Sequence, residues 1–205
     1  MSKTHFSGDR KRQANNLADA FERLYKHCWG EDTQCHNYQD GVHYPRSMDD
    51  MTDAQLHDII GADRLVLRET HMGILPTWVE EKSRLYRPWI DAPYQDSPFA
   101  VDLALTTEYH NKTNQPKHRK HVEYHDKQMF IPSVLAYLVA DADDTPIRGY
   151  LIDYHKLLAN KSEIAYQPRR NDSDGNTSHY ISQMQLIEHG LVIDSWVNED
   201  YEGAQ

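Results

Sequence analysis

Near residue 60 the hydrophobic period of this chain changes from helical to extended, and that change sets the fold class. Residues 12–28 (RQANNLADAFERLYKHC) space Leu17, Phe21, Leu24 and Cys28 three and four apart with polar residues between them, the pattern of an amphipathic helix. From Asp63 onwards the apolar residues come instead in short runs bounded by turn signals. Asp63–Arg68 (DRLVLR) and Ile74–Lys82 (ILPTWVEEK) read as two strands, broken by the polar, glycine-containing stretch Glu69–Gly73. Further strands are predicted at 99–109, 129–140 and 147–154, with Asp141–Pro146 (DADDTP) joining the last two as a hairpin. Between helix and strands, 30–50 reads as a loop. Thr52, with Gln55 in the capping-box position, caps a short helix to about Ile60, and Gly61 stops it. Residues 86–98 hold three prolines and read as a connection, and a helix begins at His155–Lys161. Residues 167–179 read as a polar loop and 180–196 as one more hairpin or strand pair. The expectation is one mixed α/β domain over 1–205, helix first and strand-rich in the centre, with its core at about 12–160 and an acidic C-terminal tail.

The length of 205 residues is enough to bury one sizeable core. No run reaches the roughly 18 apolar residues of a membrane span, and the start, MSKTHFSGDRKRQANN, lacks the apolar stretch of a signal peptide. Two cysteines are too few for a disulfide framework. These features predict a soluble, untargeted, cytoplasmic protein with no membrane partner. The net charge of −10 excludes a uniformly basic polyanion binder, but it is unevenly spread. Residues 1–130 carry 17 Lys/Arg against 20 Asp/Glu, and residues 131–205 carry 5 against 12. Basic residues gather at Lys3, Arg10, Lys11 and Arg12 and again at Lys112, Lys117, Arg119, Lys120 and Lys127, where Tyr124 and several histidines are interleaved. That second segment suits phosphate contacts and base stacking, or is an ordinary solvated loop.

Chemistry concentrates in the first two strands. In extended chain Trp78, Glu80 and Lys82 share one face, and Val79 and Glu81 the other. Asp63 at the head of one strand and Glu80 on the next place two carboxylates where adjacent strands converge, with the Lys82 ammonium beside them. Phosphodiester hydrolysis needs such a set: a hard divalent cation on oxygen ligands, an activated water, and positive charge for the developing transition state. The backbone carbonyl of Glu81 is a further candidate ligand. Glu81 as the side-chain ligand in place of Glu80 would put ligand and lysine on opposite faces, and is disfavoured. Solvated strand ends joined by a salt bridge are the alternative.

The segment Gly61–Arg84 resembles the core hairpin of the PD-(D/E)xK nuclease superfamily, in which an acid on one strand is followed, after a turn, by Glu-x-Lys on the next. Asp63 matches the first acid, Glu80 the second and Lys82 the lysine; Ala62 stands where the family's customary proline would be. The resemblance implies a restriction-endonuclease-like mixed β-sheet flanked by helices, Mg2+ or Mn2+ at Asp63, Glu80 and Glu81, and DNA as substrate. Cleavage of a duplex would favour a homodimer. It also implies an acid on the preceding helix, where Glu22 stands, with Glu31 or Asp19 as substitutes. His27-Cys28 and Cys35-His36 hold zinc-ligand residue types, but at a wider spacing than structural zinc sites use, and Cys28 equally fits the apolar face of its helix. Phosphate-cradling glycine loops and Gly-x-Ser-x-Gly are absent. The expectation is a metal-dependent endonuclease. The rival is a non-catalytic acidic protein that targets a nuclease or a DNA-binding protein and presents residues 141–144 and 188–205 as one negative surface.

Overall fold

The structure, a computed structural model, describes residues 4–37, 62–85, 98–101, 109–110, 116–117, 131–160, 163–164, 167–170 and 177–201. The short helix expected over 52–60, the connection 86–97 and most of the basic segment 111–127 lie outside the described residues.

Helix α1 (Thr4–Trp29) begins earlier than the periodicity predicts. Its stripe is the expected one, Leu17, Phe21 and Leu24, joined by Ala20 and Tyr25, and all five are buried. Gly30, at φ 102, ends it, with its N–H on the Lys26 carbonyl at 2.8 Å. Strand β1 (Gln34–Asn37) lies inside the predicted loop 30–50. It has almost no apolar pattern of its own and forms because the exposed edge of β2 (Arg64–Thr70) offers it a ladder, with Cys35 opposite Val66. β2 and β3 (Gly73–Leu85) form the expected hairpin, turning at His71–Met72. The Thr70 hydroxyl accepts from the Met72 N–H and donates to the Gly73 carbonyl. β4 (Pro98–Val101) falls in the predicted strand 99–109, followed by the two-residue strands β5 (Tyr109–His110) and β6 (Pro116–Lys117).

β7 (Val134–Ala140) and β8 (Pro146–Asp153) are the second expected hairpin. Asp141 Oδ1 closes its turn, accepting from the N–H groups of Asp143 at 2.9 Å and Thr145 at 2.8 Å. Helix α2 (Tyr154–Ala159) follows directly, capped by Asp153. The predicted polar loop 167–179 instead contributes β9 (Gln167–Arg170) and the start of β10 (Thr177–Ser182), which pair antiparallel. The stretch 180–196 is not a hairpin: after β10 comes helix α3 (Gln183–Glu188), then β11 (Val192–Val197). Gly190, at φ 58, stops α3, its N–H on the Ile187 carbonyl and that of Leu191 on the Leu186 carbonyl.

Six strands form one mixed sheet in the order β1-β2-β3-β7-β8-β11, parallel only between β3 and β7. β4, β10 and β9 form a second sheet, and β5 with β6 a third. Helix α1 covers one face of the large sheet through Val66, Val79, Ala136, Leu138 and Leu151. It comes so close that a Cβ on Gly149 would stand 2.9 Å from Leu24 and Leu138 side-chain atoms. On the other face Leu135, Tyr137, Val139, Tyr150 and Ile152 pack with Leu157, Leu158, Ile181, Leu186 and Leu191. The strands β7 and β8 are therefore buried on both sides, which is why β7 reads as a continuous apolar run and β8 as one broken at Arg148-Gly149. The chain is α/β with a mixed sheet, and among the described residues no helix is long and apolar enough to cross a membrane.

Candidate metal centre

Asp63 stands one residue ahead of β2, held there by its own N–H on the Val79 carbonyl at 2.9 Å. Alternation along β2 and β3 then sorts their charged residues. Arg64 and Glu81 fall with Val66 and Val79 on the α1 face, while Asp63, Glu80 and Lys82 fall on the other. The three residues singled out in the sequence come together there. Asp63 Oδ2 accepts from the Glu81 backbone N–H at 2.7 Å, the Glu80 carboxyl is close enough to act on Asp63 electrostatically, and Lys82 Nζ pairs with Glu80 Oε1. Glu80 is only 9% exposed, and the side chain of Lys82, at 31%, is the most open of the group.

The electrostatics follow from this crowding. Burial pushes the Asp63 carboxyl up to about 7, with the negative charge of Glu80 adding to it; the Lys82 ammonium and the Glu81 N–H pull the other way and do not cancel it. A proton on Asp63 or a cation beside the pair eases the repulsion, and Lys82 supplies part of that charge. The donor set suits a hard divalent cation. It is all oxygen, and the Glu81 carbonyl faces the β2 side of β3, as the Val79 carbonyl two residues earlier does when it accepts from Asp63. Among the described residues, no group of three or more His, Cys, Asp or Glu side chains gathers as a potential metal cage. A cation here would rest on Asp63, Glu80 and that carbonyl, with water completing its shell.

The side chain of Glu81 goes elsewhere. On the α1 face its carboxylate meets Arg64, with Nε at 2.6 Å from Oε1 and Nη2 at 3.3 Å from Oε2, and accepts from the Tyr25 hydroxyl at 2.7 Å. Glu81 and Arg64 side chains are each 5% exposed. Burial raises the Glu81 carboxyl, partly offset by Arg64 and Tyr25. Tyr25 is stacked between Phe21 and Trp29, and Arg64 lies over its ring at 6.0 Å. Arg64 and Tyr25 were not candidates in the sequence. The available signal was Arg64 on the same alternating face as Val66, opposite in charge to Glu81 on the face of Val79.

Glu22 does not join the acids. It sits on the flank of α1, paired with Lys26 at 2.8 Å, and with Asp19, Arg23 and Lys26 it lines a shallow surface depression. The helix lies against the opposite face of the sheet, so neither Glu22 nor Asp19 shares a face with Asp63 and Glu80. Glu31 is exposed just after α1. Cys28 and Cys35 are free thiols that pack against the α1-side core, and burial pushes them up to about 12 and about 11. His27 and His36 are exposed. Of the basic segment, Lys112, Arg119, Lys120 and Lys127 lie outside the described residues, and Lys117 is placed as the end of β6, opposite Tyr109. Compared with protein-family models, curated proteins and solved structures, the chain matches none of them.

Proposed function

We propose that this protein is a metal-dependent nuclease of the PD-(D/E)xK type, with a restriction-endonuclease-like core, that hydrolyses DNA phosphodiester bonds. The observation that carries the reading is the meeting of Asp63, Glu80 and Lys82 on one face at the head of the β2–β3 hairpin, with the Asp63 carboxyl raised by burial and, second, by its acidic neighbour. Such an arrangement costs stability in the absence of a cation and is accounted for by binding one.

Asp63, Glu80 and the Glu81 carbonyl would hold Mg2+ or Mn2+. The ion would supply Lewis-acid charge to the scissile phosphate. The chain's own groups do the rest. The Glu81 N–H orients Asp63, the Glu80 carboxylate tethers Lys82, and the partly open Lys82 ammonium stands where it orients a water and stabilises charge gathering on the phosphate. Two strands need two such sites, so duplex cleavage would use a homodimer.

The test is nicking and linearisation of supercoiled plasmid in Mg2+ or Mn2+. Asp63→Asn and Glu80→Gln should each abolish metal-dependent cutting while the circular-dichroism spectrum is retained; unchanged nicking by both variants sinks the assignment. A parallel assay on RNA of matched length decides between the two nucleic acids.

A second reading, the acidic protein that engages a nuclease or DNA-binding partner, has one observation in its favour. Asn198, just after β11, bonds the β7–β8 hairpin through its N–H to the Ile147 carbonyl and its Nδ2 to the Pro146 carbonyl. That brings exposed Glu199 and Asp200 to the same end of the sheet as Asp143. It predicts binding without metal and no change in binding on Asp63→Asn.

A further inference from the structure

The residues that follow the two site acids, Arg64 after Asp63 and Glu81 after Glu80, form an ion pair of their own on the reverse of the sheet. The arrangement is nearly a mirror image. In front, two like charges face each other across β2 and β3; behind, two opposite charges join the same strands one residue further on. The Glu81 peptide belongs to both sides, because its N–H holds Asp63 Oδ2 while its side chain is held by Arg64 and by Tyr25 of α1.

We infer that Tyr25, Arg64 and Glu81 are positioning residues: the buried Tyr25–Glu81–Arg64 cluster locks the Glu81 peptide and the head of β2, and thereby sets where the Asp63 carboxylate and the Glu81 carbonyl stand for a divalent cation. The cluster is a poor choice for stability alone. Taking a carboxylate and a guanidinium out of water is costly, and well-packed apolar side chains generally hold such a place as well or better. Its location is better explained by geometry. The Glu81 carboxylate accepts hydrogen bonds from Arg64 Nη2 and the Tyr25 hydroxyl, with Arg64 Nε in ion contact, and such directional bonds fix direction as well as distance, which apolar packing does not. Tyr25 adds a third fixed point, since its ring is clamped between Phe21 and Trp29 and it ties the strand pair to the helix behind it. Groups that hold a ligand's backbone or carboxylate in this way typically change metal affinity by about 10–100-fold when removed.

The inference rests on the metal-site reading above, and the experiment separates the two. Mn2+ binding to the full chain is measured by isothermal titration calorimetry without nucleic acid, for wild type, Asp63→Asn, Glu81→Gln and Tyr25→Phe. A core variant on the opposite face, Leu157→Val, serves as a control matched for loss of melting temperature. The expected result is that Asp63→Asn removes binding, Glu81→Gln and Tyr25→Phe weaken it by about ten-fold or more, and Leu157→Val leaves it unchanged. Glu81→Asp and Glu81→Gln differ in charge at nearly the same place, and partial recovery in the former assigns the effect to the ion pair with Arg64. If Asp63→Asn removes binding but Glu81→Gln and Tyr25→Phe bind as wild type, or weaken no more than Leu157→Val, the positioning role is overturned and the metal site stands. If wild type binds no Mn2+, or binds it equally well in Asp63→Asn, both fall together.

Discussion

Glu80 and Glu81 are neighbours of one type on one strand, both nearly buried, and their surroundings differ in kind. Glu81 is met by a guanidinium and a phenol hydroxyl, the partners a buried carboxylate needs. Glu80 is met by Lys82 on one side and by another carboxyl, Asp63, on the other. On the Glu80 side Lys82 offsets only part of the negative charge, and it is Asp63 whose carboxyl is raised, by burial first and by Glu80 second. The two faces thus differ in how a buried carboxylate is balanced, by a guanidinium and a phenol behind and by a lysine set against a second acid in front.

The largest expected effect that would sharpen this contrast is on the Asp63, Glu80 and Lys82 face. Lys82→Met should lower single-turnover cleavage by about 100-fold or more, the usual range for losing a group that handles a proton or charge in the transition state, while Mn2+ affinity is retained. Wild-type cleavage in this variant would reduce Lys82 to a surface salt bridge.

On the reverse face the effect should be on stability. Glu81→Leu leaves the Arg64 guanidinium buried without its partner and should cost about 3–5 kcal/mol in urea unfolding. Adding Arg64→Leu should restore most of that loss, since the uncompensated charge is then gone. A single variant as stable as wild type would mean that Arg64 finds water when Glu81 is removed.

The Asp63 face should also make stability depend on pH. Asp63 has its folded value raised from 3.8 to about 7, so its ionised form opposes folding. The penalty is absent below the unfolded value, grows as pH rises from about 4 to 7, and is complete above that. Asp63→Asn keeps the acceptor for the Glu81 N–H and removes the charge. In metal-free buffer it should therefore raise the unfolding free energy at about pH 8 by about 2–4 kcal/mol and change it little near pH 4. A variant destabilised at both values would remove Asp63 from the list of strained groups.

The smallest expected effect is a control. Met72, at the tip of the β2–β3 hairpin, is 87% exposed. Met72→Lys should change stability by less than about 0.5 kcal/mol and leave Mn2+ affinity as it is.

How much of this was legible in the sequence depended on whether the signal was local. The β2–β3 and β7–β8 hairpins were, because each strand carries its own apolar run and each turn its own Gly or Asx residue. The grouping of Asp63 with Glu80 and Lys82 needed only strand alternation and one antiparallel pairing. β1 was not legible, since QCHN has no pattern until the edge of β2 supplies one. Nor was α3: YISQMQLIEHGL alternates well enough to pass for strand, and the sign against that, Gly190 as a helix stop, counts only once Leu186 and Leu191 are seen buried under the sheet. Glu22 was misplaced for the same reason. Its position on the helix was right, but the sequence does not say which face of the sheet a helix will cover.

By itself the sequence determined the α/β character, the two hairpins, and the side of β3 on which each acid falls, because period and alternation are properties of a few consecutive residues. Only the tertiary structure decided which side faces α1. That choice put Glu81 against Tyr25 and Arg64, left Glu80 facing Asp63 and Lys82, and kept Glu22 away from them. The physical reason is that burial and pairing energies belong to groups far apart in the chain. The same side chain meets opposite charge or like charge according to what the packing of distant elements places beside it.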